Sequence, residues 1–397
     1  MTTTAPTPTT TGHAATRMPW AALVALAAIG FLLLSAETMP AGLLPLMAGD
    51  LGASEGAIGQ FTSVWALGTV VVTVPAITLT RGMRRKPLLL TSLTGLVLAN
   101  TVTALSSDVV VSLVSRFVGG AATGVLWGML AAYGRRISPP SRGGLALAVV
   151  STGAPVGFAL GTPLGAWVGG VLDWRWSFAG MSLLGVVLLL LVVLLVPDVA
   201  GQAAGGRLPL RRVFLLPGVP VVLVVIVVWM LGHNTIYTYI APFLRDTGTG
   251  LSADLVLLVY GVCSIGGVAL TAALIDQHPR GLLWASLGGF VSAAVLLLVG
   301  HGSPAVVLGA AVLWGLTFGG ASPQLQSALT IAGGSESDLA NAFLPVAFNL
   351  AISAAGLVGA LLLGFSGGLV LAVFMAVLGA LALAVTMVCR GTFAARG

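Results

Sequence analysis

The sequence predicts an all-α polytopic membrane protein, with twelve transmembrane helices in two six-helix pseudo-repeat bundles. Three observations predict it. Composition comes first: 57% of the 397 residues are hydrophobic and 7% are charged, while a water-facing surface calls for a charged share nearer ~25%. Second, basic residues are sorted. All but three of the 17 Lys and Arg fall in one alternating set of connections between apolar runs; Arg175 and Arg245 lie in the opposite set and Arg116 inside a run. Short Lys- and Arg-rich loops are held on the cytoplasmic side during membrane insertion, which produces this alternation. Third, the chain repeats weakly at half its length, as two parallel repeats would. PVGFAL at 155–160 matches PVAFNL at 345–350, and Thr38, Pro40, Ser54 and Gly68 match Thr238, Pro242, Ser252 and Gly266 in order.

The elements follow in order. Residues 1–19 are rich in Thr, Pro and Ala and are expected to be a disordered cytoplasmic segment. They lack the basic cluster and short apolar core of a cleaved signal peptide. Twelve apolar runs then occupy 20–47, 57–79, 87–106, 108–133, 143–170, 177–197, 218–243, 252–275, 281–300, 304–331, 338–364 and 368–389. Most have the ~20 residues that a helix needs to cross ~30 Å of hydrocarbon, and none alternates as a barrel strand would. The expected units are a first bundle at 20–197, a cytoplasmic linker at 198–216, a second bundle at 217–390 and a tail at 391–397. An even number of spans puts both termini on one side, and the basic loops assign that side to the cytoplasm. Lys86 is the only lysine while Arg, Ala, Gly and Val are abundant, a codon bias of GC-rich bacterial genomes, so a bacterial inner (plasma) membrane is expected. The net charge of +6 is thus explained by topology and lipid headgroups, with no nucleic-acid partner. Cys263 and Cys389 both lie in apolar runs, so no disulfide is expected. Nothing implies a metal or cofactor, and a monomer is expected.

Several stretches resemble the major facilitator superfamily, in its twelve-span drug:proton antiporter branch with the bacterial sugar-efflux and chloramphenicol-efflux permeases. They are AETMPAGLLPLMAGDL (36–51), TRGMRRKPLLL (80–90), RFVGGAATG (116–124), GAPVGFALGTPLGAWVGGVLDWRWSF (153–178), YTYIAPFL (237–244), ASPQLQSAL (321–329) and NAFLPVAFNLAISAAG (341–356). The resemblance covers the chain from about Trp20 and implies the major facilitator fold. Arg81, Arg84, Arg85 and Lys86 match the family's signature loop after span two, where the resemblance implies a conformational latch. Thr80 stands where the family has an acid, Met83 replaces the second Gly and Ala76 the first. Gly153, Pro155, Gly157 and Gly161 fit the Gly/Pro-rich signature of span five. Gly lets helices approach and Pro removes a backbone donor, so this helix can bend and slide.

Of the 11 acids, only Glu37 lies well within an expected span. Burial in hydrocarbon favours the protonated carboxyl, so Glu37 is the candidate to bind and release a proton as water access alternates. Arg116 lies at comparable depth on a nearby span, either as its counter-charge or as a tie for backbone carbonyls. A substrate pocket at the midplane would draw on Trp127, Trp229, His233, Asn234, Tyr237, Tyr239, Gln324, Gln326, Asn341 and Asn349, which offer stacking area and neutral hydrogen bonds. The expected activity is export of a small amphipathic, antibiotic-like molecule in exchange for protons. A sugar or metabolite permease of the same fold is the alternative, with a channel or a non-transporting receptor behind it. No P-loop or His-Glu-x-x-His motif is present, so neither an ATP-driven pump nor a metalloenzyme is indicated.

Overall fold

The computed structural model describes residues 17–80, 82–201 and 216–393. Among them, twelve helices are long and apolar enough to cross a membrane. They are α1 (Trp20–Asp50), α2 (Glu55–Thr73), α3 (Arg85–Leu105), α4 (Val109–Arg136), α5 (Pro140–Val171), α6 (Trp174–Leu195), α7 (Val219–Thr238), α8 (Ala253–Leu274), α9 (Pro279–Val299), α10 (Pro304–Glu336), α11 (Leu339–Ser366) and α12 (Val370–Val388). A short helix, Ile240–Thr247, follows α7. Each expected run has become one span. The bulk of the N-terminal segment and of the linker, Arg81 and residues 394–397 lie outside the described residues.

Polar residues between the runs start three of the helices. The first backbone N–H groups of a helix lack intrahelical partners, and side-chain oxygens accept from them. Ser54 Oγ accepts from the Ala57 N–H (3.1 Å) to start α2. Asp108 and Asp173 do the same at 2.8 Å for Val111 in α4 and Arg175 in α6. Two of the loop acids are therefore helix caps.

Two spans are irregular. A π-helical turn, Gly157–Gly161, interrupts α5, and α10 is divided at Gly319 and Gly320 between Pro304–Phe318 and Ala321–Gly333. The Gly-rich signature of α5 proves longer than the sequence suggested. Gly153, Gly157, Gly161, Gly165 and Gly169 recur every four residues. Each faces α1, against Ala27 and Phe31, Phe31, Ser35, Met39 and Leu43 in turn. The two helices run parallel, and the missing side chains let their backbones approach.

The cores show where the halves meet. One core belongs to the first six spans, around Leu26, Leu33, Trp65, Leu93 and Leu130. The other fills the last six spans and takes in Met39, Leu43, Met47, Ile58, Phe61, Trp174 and Phe178 from the first six. Those residues lie toward the end of the bundle remote from the chain termini, here the distal end. The structure is packed shut there. At the terminal end, a cavity of about 130 Å³ lies among Ala76, Thr80, Arg85, Met129, Tyr133 and Arg136.

Candidate functional site

Glu37 and Arg116 meet as their depths suggested, though not carboxylate to guanidinium. Arg116 is wholly buried. Its Nη2 donates to the Glu37 backbone carbonyl (3.2 Å) and its Nε to that of Phe61 (3.4 Å). Its Cζ sits 4.0 Å from the centre of the Trp65 ring and 5.8 Å from that of Phe178, a cation–π contact that suits a charge removed from water. Gly119 and Gly120 of α4 leave the room that Trp65 occupies. Among the described residues no ion pair joins Arg116 to the Glu37 carboxylate, although its field reaches that group. Arg116 thus ties α1, α2 and α4 together, while the Glu37 side chain stays buried with no ion-pair partner among the described residues.

One residue on, Thr38 Oγ1 shares a hydrogen bond with Thr162 Oγ1 of α5 (2.6 Å) and donates to the Leu34 carbonyl (2.8 Å). From the second half, the Tyr237 hydroxyl lies close to both threonines without completing a bond to either. Tyr237 belongs to an aromatic cluster that spans the halves. Phe158, in the π turn of α5, stacks on Tyr237 with ring centres 5.0 Å apart and meets Tyr260 edge-on at 5.5 Å. His233 stacks on Phe318 (3.5 Å), and its Nδ1 accepts from Trp314 Nε1–H (3.0 Å). Trp229 packs edge-on against Phe290 and Phe318. Buried rings with unsatisfied hydroxyls on Tyr237 and Tyr260 make a surface able to stack on a flat apolar group and bond to a polar one.

Of the expected pocket residues, Trp229, His233 and Tyr237 come together in this cluster. The others do not. Asn234 is turned back on its own helix, donating to the Met230 carbonyl (2.8 Å). Gln324 is held inside the second half by Thr271 Oγ1 (3.0 Å) and Ser286 Oγ (2.9 Å). Asn341 bonds to Thr330 and the Ser337 carbonyl, and Asn349 to the Pro345 carbonyl. Gln326 is exposed, and Trp127 packs on the core of the first six spans. An Asn or Gln in a span satisfies its amide with the nearest backbone or hydroxyl, which sequence cannot distinguish from a ligand contact. In this structure these residues do not form one pocket with the cluster.

Tyr239 lies apart from the cluster. Its hydroxyl donates to the Gly356 carbonyl (2.7 Å) and lies 3.3 Å from that of Gly56, so it bridges α2 and α11 at the distal end. Gln60 Nε2 reaches the same Gly356 carbonyl (3.0 Å), and Gly59 and Gly359 make space for the tyrosine ring. Beside this clamp Arg245 pairs with Glu55 across the halves. The other misplaced arginine, Arg175, pairs with Asp50, and Trp174 Nε1 donates to the same carboxylate (3.2 Å). Arg175 also donates to the Ser106 carbonyl (3.1 Å), joining α1, α3 and α6.

Of the latch residues, Arg81 lies outside the described residues. Arg84 pairs with Asp198 (2.6 Å), and Arg85 lines the terminal-end cavity with Arg136. Among the described residues no group of three His, Cys, Asp or Glu could hold a metal ion. Sequence reasoning missed Phe158, Tyr260, Trp314 and Phe318. Phe158 left a trace, since it lies inside the repeated PVGFAL segment. The other three read as ordinary packing aromatics until the helices bring them together.

Comparison with known proteins agrees with this architecture. The structure is similar to that of the nucleoside transporter NupG, with a TM-score of 0.77 over 95% of this chain and 100% of that one at 11% identity. A peptide transporter, POT, superposes with a TM-score of 0.74 over 94% of each chain at 14% identity. In sequence, the chain is 31% identical over 380 residues to a chloramphenicol efflux pump of Mycobacterium tuberculosis, covering 90% of both chains. The counterpart in the Oshkosh strain of that species matches equally. The Major Facilitator Superfamily model matches residues 26–333. This chain is thus a multi-pass membrane transport protein, not an enzyme, and it belongs to the Major Facilitator Superfamily.

Proposed function

We propose that this transporter exports a small amphipathic, antibiotic-like molecule of the chloramphenicol kind in exchange for protons, with Glu37 as the proton carrier. The observation that carries the reading is the Glu37 carboxyl itself. It is buried in α1, and Arg116, whose charge acts on it, is already engaged with two carbonyls and two rings. A carboxyl in that position changes protonation when water reaches it from a different end, which is what exchange for protons needs. The aromatic cluster between the halves, with its unsatisfied Tyr237 and Tyr260 hydroxyls, supports a ring-bearing substrate with polar substituents. Relatives named as chloramphenicol efflux pumps support the same class.

With the termini in the cytoplasm, as the basic loops favour, the closed distal end faces outward and the structure is the inward-facing state. The first six spans would then rock against the last six about the aromatic cluster. Proton release by the purified protein tests this, on challenge with chloramphenicol, a lipophilic cation or arabinose. Chloramphenicol should release protons from the native protein and not from Glu37→Gln. A release that survives Glu37→Gln would dismiss Glu37 as the carrier, and a response to arabinose alone would make this a sugar permease.

A further inference from the structure

Helix α3 begins without a cap of its own. Arg84 occupies the capping position and has no side-chain oxygen to offer. Thr80, which stands where the family signature carries an acid, donates its hydroxyl to the Ala76 carbonyl (2.6 Å) and gives the turn no negative charge. The backbone donors at the start of α3 are met from elsewhere. Arg85 N–H donates to the Val199 carbonyl (2.9 Å), and Lys86 N–H to Asp198 Oδ1 (3.1 Å). Pro87 has no N–H, and Leu88 N–H closes on the Arg84 carbonyl (3.5 Å). Every donor of the first turn is accounted for, two of them by the residues that leave α6 for the second half. Around this point Asp198 Oδ2 takes the Arg84 guanidinium at 2.6 Å. Lys86 Nζ donates to the Val193 carbonyl (2.8 Å), and the Tyr133 hydroxyl to that of Pro197 (2.9 Å). A lone exposed ion pair is worth little. This carboxylate instead serves a helix N-terminus and a basic turn at once.

We propose that Asp198 is a positioning residue of the transport cycle, supplying in trans the cap and counter-charge that Arg84 and Thr80 cannot. The α2–α3 turn and the start of the inter-half connection then move as one piece. The latch that the signature loop forms in the family is replaced here by an anchor inside the first half.

Spin labels on Met83→Cys and Gly201→Cys, with Cys263 and Cys389 replaced by Ser, test this in the full-length protein in nanodiscs. Native Asp198 should give a single distance population and Asp198→Asn a broadened one. Asp198→Glu, which keeps both the charge and the acceptor oxygens, should give a single population. An unchanged distribution in Asp198→Asn, or an Asp198→Glu as broad as Asp198→Asn, would overturn the proposal. Where Asp198→Asn does not fold, Asp198→Ser, which keeps an acceptor without the charge, takes its place. In vesicles, with chloramphenicol as the probe, Asp198→Asn should lower kcat about ten-fold at constant KM, the scale of coupling changes at two-state contacts. A rise in KM alone would count against the proposal. This arm rests on the export reading and the distances do not. A broadened distance with no chloramphenicol transport by the native protein would therefore fault the export reading and leave the Asp198 proposal supported.

Discussion

Arg245 and Glu55 form a two-pronged ion pair between the second half and the first, with Nη1 2.6 Å from Oε1 and Nη2 2.9 Å from Oε2. It accounts for one of the two arginines that break the charge alternation of the loops. Arg245 is 59% exposed, and pairs in water contribute at most ~1 kcal/mol. The buried Tyr239 bond to Gly356 contributes about as much. Glu55→Gln should therefore shift the balance toward an open distal end less than about five-fold, and Tyr239→Phe about five-fold. Labelling of a cysteine placed at Ala360 reads both. If neither variant speeds labelling, this clamp does not hold the end shut.

The α5 glycines are predicted to be intolerant in a position-specific way. A side chain at Gly157 or Gly161 would run into Phe31 or Ser35 of α1. Gly157→Leu or Gly161→Leu should cost about 1–3 kcal/mol by overpacking. A Cβ at Gly170, on the same helix, meets nothing within 4 Å. Gly170→Ala should then stay within about 0.5 kcal/mol of native. Thermal unfolding in detergent compares them, and equal losses at Gly157 and Gly170 would rule out the helix seat.

Arg116 is expected to behave as a tie. Lys cannot reach two carbonyls with a planar fork while lying flat on Trp65. Arg116→Lys should lower stability by about 2 kcal/mol, as expected for lost charge-assisted bonds. Proton release on chloramphenicol addition should persist in the folded fraction. An Arg116→Lys protein that melts like the native one would show that the carbonyl ties contribute nothing.

His233 accepts from Trp314 through Nδ1, so its ring is neutral with the proton on Nε2. It is a hydrogen-bonded member of the aromatic cluster. Substrate-linked proton release should therefore survive His233→Gln, while substrate affinity weakens. Loss of the proton signal in that variant would move the proton carrier from Glu37 to His233.

The Asp198 cap has a defined pH window. Burial works to raise its carboxyl, but the Lys86 N–H and the Arg84 charge outweigh this and hold it below the ordinary 3.8. A depressed carboxyl contributes above its unfolded value and is lost as pH falls through the folded one. The Met83–Gly201 distance should then be constant between about pH 5 and 8 and broaden only in stronger acid. Broadening near neutrality would mean that another group holds the connection.

Much of this architecture was legible because hydrocarbon leaves a chain few choices. Every backbone group in a span must be satisfied within it, so run length announces a helix. Glu37 and Arg116 stood out for the same reason, as charges where charges are expensive. The surroundings of the neutral polar residues were not legible. Asn234, Gln324 and Asn349 looked like ligand contacts and are bonded within their own half. Phe158, Tyr260, Trp314 and Phe318 come from three different spans, and no local pattern records that they meet.

The sequence by itself determined the twelve spans, their family, the isolation of Glu37 and the two arginines that needed partners. These follow from one-dimensional quantities, namely hydropathy, charge placement and motif spacing. The tertiary structure alone decided that Arg116 binds the Glu37 carbonyl and not its carboxylate, that the Tyr239 hydroxyl bridges α2 and α11, and that Asp198 meets the start of α3 and Arg84. Each of these depends on which atoms distant segments bring within about 3 Å of one another, a distance set by helix packing.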